Sequence, residues 1–350
     1  MRRWWMEDEM LRRRSVRNPR TLAAPVPAIP FAAATVALLV LTGCGGEPVD
    51  AATPAPHGSA AFGRDRAALL LTAFDQADSA ASVAGDVEAL RTQEVSPSLD
   101  LSIAAVRRAE YNQRPQPSFQ HINPAFAVPP GEPSCFLATA TLRLTGSELA
   151  PTDVSQFVRG ADGQWKLSHN VQVTQPSLVV ARSLDGRPAT AGGAALDETS
   201  RRALAAEVFA RSIGSTTGNR SLVASSPLLD GQFAGGWEVY GQQLAGVGGA
   251  VRRTMDRAEW SDCAVAVPTG TLTFLTIHAT DTLRPAPGGP ATVRLEAQSP
   301  DLIATGHRTA VSGKSIRVTR VETFALLVPA QTVGTSVLGL NDTALTVTAG

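Results

Sequence analysis

Phe157-Val158-Arg159-Gly160-Ala161-Asp162-Gly163-Gln164-Trp165-Lys166-Leu167 reads as two strands joined by a tight turn. Asp-Gly between alternating apolar residues is a strong short-range hairpin signal, because the turn needs a positive φ that glycine adopts without strain. Beyond the turn, Trp165, Leu167, His169 and Val171 occupy every second position and are expected on one face of a strand. Upstream, residues 154–159 form a short β-prone piece. Phe136, Ala138, Ala140, Leu142 and Leu144 alternate with Leu137, Thr139, Thr141 and Arg143. Residues 178–182 suggest one more strand. Strands in direct succession imply antiparallel pairing, not the alternation of a parallel sheet.

Helices precede these strands. Ala67, Leu70, Leu71, Phe74, Ala77 and Ala81 recur at steps of three and four, predicting a helix from residue 64. Gly85 should break it, and Asp86-Val87-Glu88 restart a shorter piece. A further helix is expected over 99–111, with Leu101, Ala104, Ala105 and Arg108 in step. The Pro-rich stretch 114–133 cannot continue it. The second half repeats the order after a Gly-rich linker, residues 183–196. Asp197 is a plausible N-cap for a helix over 197–213, with Leu204, Val208 and Ile213 apolar. Helices are expected over 237–244 and 250–260. Strands are expected over 264–280, 291–297 and 315–328, then an extended tail over 332–348. The reading is α+β: two helix-then-antiparallel-sheet domains, residues 63–182 and 197–345.

Leu41-Thr42-Gly43-Cys44 closes an apolar run that begins at Phe31 and follows Arg12, Arg13, Arg14, Arg17 and Arg20. A basic stretch, a short apolar core and small residues before a cysteine are the parts of a lipoprotein signal peptide. The core is shorter than the roughly 20 apolar residues of a spanning helix. Residues 1–43 are thus expected to be removed, with Met10 the expected start. Cys44 is expected to carry a diacylglycerol, and residues 44–62, rich in Pro, Ala and Gly, to form a flexible tether. The protein would then sit on the outer face of the cytoplasmic membrane, held there by lipid.

The 350 residues carry 31 basic and 31 acidic side chains; beyond Gly43 the balance is 24 to 28. A mildly acidic body argues against a nucleic-acid partner, which would favour a basic stripe. With Cys44 lipidated, Cys135 and Cys263 remain of three cysteines. An even number in an oxidising compartment predicts a disulfide. Each precedes the first long strand of its half, so a pseudo-two-fold pairing of the halves would bring them together.

Motifs for known chemistries fail. Ser312-Gly313-Lys314-Ser315 ends like a phosphate-binding loop, but Arg308 stands where the first glycine belongs and a strand follows. Gly246-Val247-Gly248-Gly249-Ala250-Val251 lacks the third glycine of a dinucleotide fingerprint. No metal or cofactor is expected. His169 is a candidate general base or ligand contact, though a packed histidine bonded to backbone explains it better. Asp78 follows Phe74 by four residues, at the edge of the apolar stripe. With His169 and Trp165 it makes up the candidate pocket, against the commoner reading of a solvated helix face.

Lipobox, tether and two helix-then-sheet halves together resemble actinobacterial membrane lipoproteins with tandem cystatin-like, or nuclear-transport-factor-like, domains. The hairpin 157–167 and the stretch 307–339 are its local anchors. The resemblance implies that each half is a cone of curved sheet around a long helix, and it carries no catalytic residues. Three function classes follow: a non-enzymatic module binding an envelope protein or cell-wall component, a small-molecule or lipid carrier with an apolar cone, and a hydrolase or isomerase using His169 or Asp78.

Overall fold

Helix α1 (Arg64–Ala84) exists because its apolar positions fall on one stripe. Ala67, Leu71, Phe74 and Ala81 are buried, with Asp75 and Asp78 among them. Gly85 ends it at φ 68°, a left-handed cap that glycine takes freely, donating its N–H to the last carbonyls. Asp86 then caps α2 (Val87–Gln93) by accepting from the Ala89 N–H at 3.0 Å. After a short connector comes α3 (Ser98–Tyr111).

Four antiparallel strands follow in sequence order: β1 (Phe119–Ala127), β2 (Cys135–Leu144), β3 (Thr152–Arg159) and β4 (Trp165–Val173). Strand β1 lies inside the Pro-rich stretch, where no strand was expected. It tolerates Pro124 because it is an edge strand and its register shifts between Ile122 and Ala125. The hairpin turn is as read: Gly163 has φ 78° and the Asp162 carboxylate accepts from the Gln164 N–H.

The computed structural model describes residues 62–129, 133–147, 151–173, 189–191, 196–215, 222–267, 270–329 and 334–350. The leader, Leu41, Thr42, Gly43, Cys44, nearly all of the tether and the strand expected over 178–182 lie outside these. Among the described residues no helix is long and apolar enough to cross a membrane.

In the second half, β5 (Ala189–Ala191) lies within the expected linker. Asp197 caps α4 (Glu198–Ser212), accepting from Ser200 N. A π-helical turn (Pro227–Phe233) leads into α5 (Ala234–Gly246). Residues 250–260, expected to be a helix, belong to a strand, β6 (Gly249–Trp260), paired with β8 along its length. The period of two is present, with Val251, Arg253 and Met255 less exposed than their neighbours. An inward arginine disguised it. The expected strand over 264–280 is two, β7 (Cys263–Val267) and β8 (Gly270–Pro285). Then come β9 (Val293–Leu295), α6 (Pro300–Ala304), β10 (Val311–Gly313), β11 (Ile316–Val328) and β12 (Ser336–Ala349).

One antiparallel sheet runs β1-β2-β3-β4-β12-β11-β8-β7-β5, with β6 also on β8. The protein is therefore α+β. Residues 61–350 form one compact unit in which the halves share a core. On one face of β2, Phe136 and Ala138 meet Leu71 and Phe74 of α1. On the other, Cys135 and Leu137 meet Val265, Leu272 and Phe274 of the second half. The rings of Phe136 and Phe157 stack at 4.8 Å, a contact worth about 0.5–1.5 kcal/mol beyond area burial.

Joints of several kinds hold the halves. Cys135 and Cys263 are disulfide-bonded, with Cα atoms 6.1 Å apart. Gly339 of β12 pairs with Val173 of β4, so close that a Cβ there would lie 2.2 Å from the Gln172 carbonyl oxygen. Helix α3 reaches across: Arg107 donates to the Ala304 carbonyl at 3.0 Å, and Arg308 pairs with Glu110.

Candidate functional site

The three pocket candidates separate. Trp165 points toward α1, stacking on Phe62 at 4.6 Å and packing against Phe136. His169 does not share its face. Phe157 pairs with Leu167 but Gln156 pairs with His169, so Ser168 is an extra residue in β4. A bulge of one residue turns every later side chain to the opposite face. His169 and Val171 therefore enter the core between the halves. There His169 stacks on Phe274 at 4.9 Å, with its ring nitrogens 3.1 Å from Ser168 Oγ and 3.2 Å from Thr276 Oγ1. Burial pushes its pKa down to about 4, so the ring is neutral.

Asp78 does face inward, and it is not alone. Asp75 and Asp78, three residues apart on α1, share the buried face. Across from them stand His121 of β1, Asp153 of β3, and Glu94 at the end of α2. All five are under 9 % exposed. Asp75 holds His121 with both oxygens: Oδ1 lies 2.6 Å from Nδ1, and Oδ2 accepts the backbone N–H at 2.8 Å. His121 Nε2 faces Asp153 Oδ2 at 3.8 Å, an ion-pair distance. Burial opposes charge on this ring, but Asp153 and Asp75 outweigh it and raise its pKa to about 9. The imidazolium is thus sandwiched between two carboxylates. Asp78 is pushed up to about 6 by burial, then by the Asp75 charge; its contact with Glu94 and the His121 charge oppose the rise. Glu94 is pushed well above the usual carboxylate range by burial, then by the Asp78 charge. Its Oε1 accepts from Ser102 Oγ at 2.8 Å.

The sequence places Asp78 at the edge of the apolar stripe of α1. It hid His121, because β1 was unrecognised, and it hid Glu94 and Asp153, whose inward positions follow from tertiary docking. Chemically the group can hold protons near neutral pH. A cavity of about 220 Å³ opens further along α1, lined by Ser82, Gly85, Val106, Glu110, Arg114 and Gln116. Among the described residues, none of the five clustered groups lines it.

The His121 geometry gives a pH prediction. A histidine raised from 6.5 to about 9 contributes stability that is complete below pH 6.5 and lost as pH rises through 9. That shift corresponds to about 3 kcal/mol. His121→Gln should therefore fall short of the wild type by about 3 kcal/mol at pH 6 in urea unfolding, and the gap should narrow steadily toward pH 10. A gap that stays constant with pH would refute the charged sandwich.

The second half carries a separate buried network. Arg253 of β6 clamps Asp281 through two nitrogens at 2.6 and 2.9 Å and reaches Glu322 at 2.6 Å. Its guanidinium lies 4.1 Å above the Trp237 ring. Arg320 of β11 binds Asp281, Asp301 and Asp342. Arg108 of α3 reaches Thr343 nearby. Burial pushes Glu322 up to about 7 against the pull of Arg253.

Among the described residues no group of three or more His, Cys, Asp or Glu side chains is arranged to hold a metal ion. No protein-family model matches the chain, and a search of curated proteins finds no match.

Proposed function

We propose that this is a lipid-anchored extracytoplasmic protein whose body is a rigid, non-enzymatic module for binding an envelope protein or cell-wall component. The observation that carries it is the disulfide between Cys135 and Cys263. Such bonds persist in oxidising compartments. The bond uses two of the three cysteines and leaves Cys44, directly after Leu41-Thr42-Gly43, as the acceptor for lipid. The interaction reading is supported by what the inward polar groups do. His169, His121, Arg253 and Arg320 are bound to neighbours in the same chain.

Mass spectrometry of membrane-extracted protein tests the anchor. The expected N-terminus is a diacylglyceryl-modified Cys44, and Cys44→Ser should leave the precursor uncleaved. A mature N-terminus elsewhere, or normal processing of Cys44→Ser, would sink the reading. Crosslinking in native membranes should then recover an envelope component, with recovery unchanged by His169→Ala.

One observation favours a second reading. Asp78 has a pKa near that of a working general acid or base and lies on the inner face of the first helix. If Asp78→Asn abolished a measurable hydrolysis or isomerisation, the enzyme reading would replace the first. The apolar-carrier reading has no observation of this kind behind it.

A further inference from the structure

We propose that Asp78 and Glu94 share one proton and form a pH-gated latch that holds the α2–α3 arm on the first half. Both residues are nearly inaccessible, at 3 % and 2 % exposed. Their carboxyls lie within hydrogen-bond reach of each other. Asp78 Oδ1 and Glu94 Oε2 are buried and receive no hydrogen bond. Two carboxylate oxygens that meet in a dry interior cannot satisfy each other unless one carries a proton.

Charge counting leads to the same point. Facing Asp78 are Asp75 from α1 and His121 from β1, whose ring also meets Asp153 of β3; α3 contributes the neutral hydroxyls of Ser98 and Ser102 beside Glu94. Asn170 of β4 lies against Asp153. Lys166 of β4 gives its ammonium to the Arg91 carbonyl. The cluster therefore holds four carboxyls and one imidazolium. Asp75 and Asp153 already occupy that cation. A second negative charge on the Asp78–Glu94 pair would be buried without a counter-ion, a costly arrangement.

The position of Glu94 makes this a device. Residues 94 and 95 dock on β4, Glu94 pairing with Leu167 and the Val95 N–H donating to the Leu167 carbonyl at 2.9 Å. They join α2 to α3, and α3 is the helix whose Arg107 and Glu110 reach the second half. Loss of the shared proton places two like charges between α1 and this connector. An acid whose folded-state affinity for protons is raised stabilises the fold at low pH and loses that contribution as pH rises through the raised value. The latch is closed in acid and strained as pH rises.

Amide hydrogen exchange of the full chain, extracted in detergent, tests this. After correction for intrinsic pH dependence, residues 87–111 should exchange about tenfold faster at pH 8 than at pH 5 in the wild type, while β11 and β12 change less than about twofold. Glu94→Gln keeps an acceptor for Ser102 and can donate to Asp78, so it should flatten the profile and stay protected at pH 8. A flat wild-type profile, a transition centred on the His121 titration near pH 9, or a Glu94→Gln profile equal to wild type would each overturn the latch. Should Glu94→Gln fail to fold by circular dichroism, Asp78→Asn replaces it. The wild-type profile decides the matter in either case.

Discussion

Arg320→Leu is expected to lower the unfolding free energy by about 3–5 kcal/mol, the usual cost of removing one partner from a buried ion pair. Arg320 is 6 % exposed, and its guanidinium contacts three carboxylates from three elements. Asp281 Oδ2 lies 2.9 Å from Nε, Asp342 Oδ2 lies 2.6 Å from Nη1, and Asp301 takes Nη2. Arg253 can still compensate Asp281 and Glu322, but Asp301 and Asp342 would lose their main counter-charge. Leucine fills part of the volume, so the cavity term is small beside the electrostatic one. Domains of this kind are stable by about 5–15 kcal/mol in total, so the variant should unfold at visibly lower urea. The deficit should shrink as the solution is acidified, because protonation neutralises the carboxylates left behind. A loss below about 1 kcal/mol would mean that Arg108 moves in to take over.

How much of this was legible in the sequence depends on whether a feature is local. The hairpin at Asp162-Gly163, the break at Gly85, the helix restart at Asp86 and the cap at Asp197 are set by residues within a few positions of each other, and all were readable. His169 was placed on the wrong face because alternation assumes an unbroken register, and the extra residue at Ser168 leaves no mark in composition. Residues 250–260 carry Arg252, Arg253, Asp256, Arg257 and Glu259, a charge density that masks the strand period. In fact Arg253 is buried against acids that lie 28 and 69 residues away. The candidate site shows the same split. Asp78 could be seen on its stripe. His121, Asp153 and Glu94 come to it from β1, β3 and the α2–α3 connector, and only tertiary packing joins them.

Removing the disulfide by the double substitution Cys135→Ala and Cys263→Ala should cost about 4–5 kcal/mol. The cysteines are 128 residues apart, and the entropy a cross-link takes from the unfolded chain grows with the logarithm of the loop it closes. The loss of two buried sulfur atoms, at 3 % and 0 % exposure, adds to this through poorer packing around Leu137 and Val265. The entropic part acts on the unfolded state, so it can be isolated. The wild type under reductant should approach the double variant in urea unfolding, while the variant itself should not respond to reductant. The slope against urea should also rise without the bond, since the freed chain exposes more surface. Equal midpoints with and without reductant would show that the bond contributes little. The joint also bears on the proposed function. Among the described residues, Gly339–Val173 is the single ladder pair joining the two half-sheets, and α3 holds the second half through Arg107, Glu110 and the buried Ala104. The covalent link adds to the apolar packing that closes the β2–β7 end of the core. A body that loses the bond should show faster amide exchange in β7 before it unfolds globally.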